Sequence, residues 1–232
     1  MKFLVLQHIN IEHPGIFLKF MKEDNIKIDT VELDENEKIP NLDNYDAMIV
    51  MGGPMDTWQE ETYPWLKAEK EAIHKFACVS KKPYLGLCLG AQLLSEAAGG
   101  KVRKMKTPEI GVLKVSVADD KSLFKGLNKD LKVLQWHSYE AHDLPTSTKL
   151  LASSPECEVQ AFSFDKAFGL QFHVEQTNKT VPEWACVPEY KSALEKTLGD
   201  NALEKFKKDV EQNLNLFNSS AKTIYENFKK II

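Results

Sequence analysis

The chain has 232 residues, with 30 Lys and Arg against 34 Asp and Glu, for a formal net charge of −4. That balance gives no basis for a nucleic-acid partner, and no apolar run approaches the ~18–20 residues of a membrane span. With 43% hydrophobic and 28% charged residues, the composition is that of a globular protein long enough for one α/β domain.

The segment Met1 to His8 is too short in its apolar part for a signal peptide, and residues 3–6 read as a first strand. Residues 15–23 read as a helix with Ile16, Phe17 and Phe20 facing inward, and residues 27–32 as a second strand. An apolar strand at 46–51 stops at Gly52-Gly53-Pro54; a helix follows at 65–76 and a strand at 83–87. This βαβαβ order implies a mostly parallel central sheet flanked by helices.

The strand at 83–87 runs into Gly86-Leu87-Cys88-Leu89-Gly90, and Gln92 to Ala98 continues as a helix ended by Gly99-Gly100. Gly-x-Cys-x-Gly at a strand-to-helix junction is the cysteine form of a nucleophile elbow. The flanking glycines give a tight turn room, and the helix N-terminus beneath the sulfur favours negative charge there. The alternative is a buried cysteine acting as a small hydrophobe. The other cysteines, at 78, 157 and 186, offer no C-x-x-C pair, so a reduced, cytoplasmic setting is expected.

The basic run Lys101, Arg103, Lys104 and Lys106 reads as a solvated strand or loop. From Gly111 onward short strands are expected at 112–117, 131–135, 150–153, 159–164 and 168–172, forming a small antiparallel extension beside the parallel core. The last ends in Phe172-His173-Val174-Glu175, where a period of two puts His173 and Glu175 on one side. A carboxylate there can fix the imidazole tautomer and stabilise the imidazolium. Histidines 137 and 142, with 8 or 13, have no spacing for four convergent metal ligands. No cofactor is expected. Residues 202–232 are an amphipathic helical tail, with a break expected at Asn218-Ser219-Ser220, and the whole of 1–232 reads as a single domain.

Three blocks, Gly52-Gly53-Pro54, Gly86-Leu87-Cys88-Leu89-Gly90-Ala91-Gln92 and Phe172-His173-Val174-Glu175, resemble the signatures of class I (triad-type) glutamine amidotransferases. The match is nearest to stand-alone members similar to the glutaminase domain of GMP synthase. Gln135-Trp136-His137, Glu109-Ile110-Gly111 and Gln160-Ala161-Phe162 support it, so the resemblance runs from about residue 3 to 185. It implies a flavodoxin-like fold with the triad Cys88, His173 and Glu175, and an oxyanion hole from the backbone N–H groups of Gly53 and Leu89. Substrate contacts are implied for Gln92, Met55, Ser138 and Tyr139. Ser138-Tyr139 departs from the small-then-Asp sequence of the nearest relatives, which bears on the pocket and not on the triad. The implied activity is hydrolysis of the γ-amide of glutamine through a cysteinyl thioester, with ammonia passed to a separate synthase. A γ-glutamyl peptidase and a catalytically silent binding module are the alternatives.

Overall fold

The computed structural model describes residues 1–199 and 201–232. Five strands form a parallel half-sheet: β1 (Lys2–Gln7), β2 (Lys27–Glu32), β3 (Ala47–Val50), β4 (Tyr84–Leu87) and β9 (Ala167–Leu170), in the order β2-β1-β3-β4-β9. Four more, β5 (Lys101–Val117), β6 (Asp130–His142), β7 (Lys149–Ser153) and β8 (Ala161–Phe164), continue it antiparallel as β9-β8-β7-β5-β6.

The inner parallel strands are apolar on both faces because helices cover both, whereas β2, at the edge, is polar and buries only Val31. Phe3, Val5, Ile49 and Leu85 join one cluster with Phe17, Phe20 and Met21 of α1 (Ile16–Glu23). Leu4, Leu6, Met48 and Val50 join the other, with Leu66 and Ile73 of α2 (Trp65–Ile73) and Leu93 and Leu94 of α3 (Leu89–Ala97). A third cluster packs Ile110, Leu134 and Trp136 against α4 (Thr180–Trp184), α5 (Pro188–Leu198) and the first half of α6 (Ala202–Lys229).

Several expectations are corrected. The strand at 168–172 belongs to the parallel half, pairing with β4, and stops at Leu170. Beyond it the chain meets β6 through a single bridge, Leu134 to His173. The strands expected at 112–117 and 131–135 are the ends of a hairpin that reaches back to Lys101 and on to His142. Its outer part lacks apolar alternation and is charged: exposed Lys101 pairs with Asp143, and Arg103 with buried Glu140 and with exposed Glu158. The strand at 159–164 begins at Ala161. The helix at 65–76 is α-helical only to Ile73 and continues as a π-helical stretch, His74–Val79.

The tail does not break at Asn218. α6 runs as one helix, because Phe217, Ala221, Ile224 and Phe228 hold its face on the core and Ser220 is small enough to be buried there. Helix propensity differs by only ~0.5 kcal/mol among these residues, less than one buried aromatic contributes. Phe228 is 1% exposed and meets Phe3 and Phe168 edge-on, each at 6.4 Å. Phe228→Ala is therefore expected to cost about 3–5 kcal/mol, a fall in Tm on the order of 10 °C by calorimetry.

Candidate active site

In an open α/β sheet, the crevice beyond the carboxyl ends of the parallel strands is where ligands bind. His8 follows β1, Gly52-Gly53 follows β3, Cys88 follows β4 and His173 lies three residues past β9. All of the sequence blocks therefore meet at one edge.

β4 delivers Cys88 directly into α3, with its backbone at φ 50° and ψ −105°. A residue carrying a Cβ is strained there, and the surroundings must impose it. They do so by hydrogen bonds from Cys88 N–H to Leu170 O at 2.8 Å and from Gly90 N–H to Met51 O at 3.1 Å. A Cβ at Gly86 would lie 2.5 Å from the Gly90 backbone, and one at Gly90 would lie 2.3 Å from the Val50 carbonyl oxygen. The turn closes only with glycine at both positions.

His173 is held by its backbone: its N–H donates to Leu134 O at 2.9 Å, and its carbonyl accepts from Leu134 N–H at 3.1 Å. Its Nδ1 meets Glu175 Oε1 at 2.6 Å, while Glu175 Oε2 accepts from Val174 N–H at 2.8 Å. Both side chains are buried, and Trp184 closes edge-on over the imidazole at 4.8 Å. Burial alone would depress the imidazolium. The Glu175 carboxylate and the hydrogen bond with Cys88 outweigh it, holding His173 well above the usual histidine value. The thiol and the carboxylate thus both favour the charged ring.

Cys88 opens into a cavity of about 160 Å³, whose lining includes Gly53, Met55, Leu89, Gln92, Ser138 and Tyr139. At ~30 Å³ per water this is roughly five water volumes, the scale of one small amino acid. The N–H groups of Gly53 and Leu89 have no hydrogen-bond partner among the described residues, whereas that of Gly90 is engaged by Met51. All nine residues expected at the site are brought together. A larger groove of about 550 Å³, between the loop around Ile39 and α2, has no cysteine, serine or histidine in its lining.

The family model for class-I glutamine amidotransferases matches residues 17–183. The chain belongs to that family. Among curated relatives, a glutamine-hydrolyzing GMP synthase subunit of Saccharolobus solfataricus is 32% identical over 142 residues, spanning 60% of this chain and 72% of the relative. Gamma-glutamyl peptidase 3 of Arabidopsis thaliana is 32% identical over 158 residues, 65% of this chain and 61% of the relative. The crystal structure of a glutamine amidotransferase from Thermotoga maritima superposes with a TM-score of 0.89 at 30% identity, covering 98% of this chain and 97% of the other.

Within this amidotransferase, sequence reasoning missed two residues close to Cys88 and His173. Gln171 is buried and donates through Nε2 to Cys88 Sγ at 3.6 Å, while its Oε1 accepts from Gln92 Nε2 at 3.2 Å. Gln92 also donates to Tyr139 O at 3.2 Å, so it ties the helix to β6 as well as lining the cavity. Gln171 stands two residues before His173, and the strand period of two was the available signal. Glu12 is the other: burial pushes its carboxyl up, the His173 charge pulls it down, and Tyr190 donates to its Oε1 at 2.5 Å.

The histidines weighed as metal ligands do not converge. His8 pairs with Glu69, His13 with Glu183, His137 with Glu109 and His142 with Asp143. Glu109, His137 and Cys157 do bring donor atoms within 4.8 Å of one another. The fit to a metal is poor: Ser154 and Gln160 already donate to the Glu109 carboxylate, and burial pushes the Cys157 thiol far up.

A glutamine-analogue diazo-ketone is expected to modify Cys88 and to leave buried Cys157 untouched, as located by peptide mass spectrometry. Gln171→Leu should slow alkylation of Cys88 at neutral pH about tenfold, the equivalent of one charge-assisted hydrogen bond of ~1.4 kcal/mol. Equal rates would show that Gln171 does not support the thiolate.

Proposed function

We propose that the chain is a cysteine-nucleophile hydrolase of γ-glutamyl amides, with glutamine as substrate and glutamate and ammonia as products. The observation that carries this is the meeting of Cys88, His173 and Glu175 at a cavity of amino-acid size with two unengaged backbone N–H groups. The Cys88 thiolate attacks the γ-carboxamide carbon, and the oxygen that gains charge is received by the N–H groups of Gly53 and Leu89. His173 takes the thiol proton as Cys88 attacks and gives it to the nitrogen as the C–N bond breaks and ammonia leaves. Water then adds to the thioester with His173 as base, releasing glutamate and restoring the thiol. Glu175 orients the ring and stabilises its charged form. Met55, Gln92, Ser138 and Tyr139 position the α-amino and α-carboxylate end.

The ammonia is passed to a separate synthase, a reading supported by relatives named as one subunit of GMP synthase. The continuous nine-stranded sheet, with α6 packed on its core, supports one domain over 1–232. No helix among the described residues is long and apolar enough to cross a membrane. A reduced cytoplasmic compartment suits the free thiols.

A second reading, hydrolysis of γ-glutamyl peptides, has its own observation. Trp58 is half exposed beside the cavity and meets Tyr139 edge-on at 4.8 Å. An aromatic rim of this kind gains contact with a leaving group larger than ammonia.

Steady-state release of ammonia from glutamine, and of amine from γ-glutamyl peptides, by the purified chain tests both readings. A kcat/KM higher for the peptide would favour the second, and no release from either would defeat both. Glu175→Gln should lower kcat on the order of 10⁴-fold, because an amide can donate to Nδ1 and hold the wrong tautomer. Unchanged turnover would make the carboxylate structural.

A further inference from the structure

The loop that carries the proposed oxyanion donor has almost no steric restraint of its own. A peptide between two glycines rotates readily, since neither Cβ resists a change of ψ at one residue and φ at the next. Gly52-Gly53 is such a peptide, and its direction matters. In a trans unit the Gly52 carbonyl and the Gly53 N–H point to opposite sides, and the chain has no cis peptide among its described residues. Turned one way, the N–H faces the Cys88 cavity. Turned the other, a carbonyl oxygen stands where negative charge must develop.

What restrains it is a pair of side chains that the catalytic scheme above does not use. His8 follows β1 and Glu69 lies on α2, and both side chains are completely buried. His8 Nδ1 lies 2.7 Å from Gly52 O, and His8 Nε2 lies 2.9 Å from Glu69 Oε1. A backbone carbonyl only accepts, so His8 Nδ1 carries the proton given to Gly52 O, while the Glu69 carboxyl beside Nε2 favours a second proton on the ring. Burial opposes that charge, but Glu69 and the Gly52 carbonyl outweigh it and raise the pKa of His8 above its ordinary value. Trp65, at the start of α2, stacks on the imidazole at 5.5 Å and 27° and fixes its plane. Glu69 Oε2 has no partner, so the carboxylate's one hydrogen bond is directed at the histidine. A buried pair of this kind adds little net stability over an apolar replacement, which leaves specification of a geometry as its contribution.

We propose that His8 and Glu69 are positioning residues that clamp the Gly52 carbonyl and thereby aim the Gly53 N–H at the oxyanion. The proposal rests on the amide-hydrolase reading above. Rotating the peptide would strip His8 of its acceptor and leave a buried charged N–H unpaired, so the clamp is strongly one-sided. The sequence separation of the partners, 61 residues between the two side chains, explains why no local motif announces it.

The test compares two double variants, because removing one partner alone leaves a buried charge and can prevent folding. His8→Leu with Glu69→Met replaces the pair by apolar groups of similar size. His8→Asn with Glu69→Gln keeps a donor that can reach Gly52 O without the charge. The first is expected to lose roughly 10²–10³-fold in kcat for glutamine, the size of one lost oxyanion donor, with KM little changed. Alkylation of Cys88 by iodoacetamide forms no oxyanion and should proceed at the wild-type rate. The Asn/Gln variant should recover most of the lost kcat. Wild-type kcat in the Leu/Met variant, or a parallel loss of iodoacetamide reactivity, would overturn the proposal. A crystal structure of the Leu/Met variant reads the clamp independently of turnover: a rotated or mixed Gly52–Gly53 peptide is expected, and an unchanged one refutes it. Inactivity of the wild-type chain toward every γ-glutamyl amide would instead defeat the functional reading, leaving the peptide orientation to decide the clamp.

Discussion

The structure turns on the forced backbone of Cys88. A positive φ at a residue with a Cβ persists only if the neighbouring strands over-determine it. Here β9 supplies the acceptor at Leu170, the end of β3 supplies the acceptor at Met51, and β4 supplies the entering chain. The two glycines around the turn remove the atoms that would otherwise collide with Val50 and Gly90. The same hydrogen bonds that impose the strain also bring β3 and β9 alongside the elbow. The loop after β3 and the histidine after β9 follow at once, so the strained residue and its chemical partners share one cause.

Three buried histidine–carboxylate pairs surround this point: His8 with Glu69, His137 with Glu109 and His173 with Glu175. Burying charge is costly unless every partner is in place. In each pair the ring's second nitrogen has its own partner: the Gly52 carbonyl for His8, the Tyr139 carbonyl for His137 and the Cys88 sulfur for His173. Each pair thus fixes a different part of the site's wall, through a loop carbonyl, a β6 carbonyl and the Cys88 sulfur. Glu109 illustrates the balance: burial pushes its carboxyl up, while His137, Ser154 and Gln160 together hold it below the usual carboxylate range.

The helices after Glu175 form a roof more than an appendage. Trp184 of α4 closes on His173, Tyr190 of α5 donates to Glu12, and Phe206 of α6 packs edge-on against Trp136 at 4.9 Å. Excluding water there strengthens the interactions among His173, Glu175 and Cys88. The route from the outer helices to the chemistry runs through aromatic side chains, whose large buried area holds a loosely patterned segment in place.

By itself the sequence determined the elements whose information is local. The apolar runs that became β1, β3 and β4, the glycines that permit the elbow and the spacing of His173 to Glu175 all depend on neighbours within a few residues. The amphipathic stripe of α6 was legible for the same reason, though not its continuity through Asn218, which packing of Phe217 and Ala221 decided. Tertiary structure alone decided the rest. The outer hairpin strands carry charges rather than alternating apolar residues, so their length is set by cross-strand pairing. The short helices α4 and α5 have little apolar periodicity and form because cluster contacts hold them. Gln171 against Cys88, Glu12 beside His173 and His8 on Gly52 join residues far apart in the chain, and such contacts exist only once the strands have set their ends at one edge.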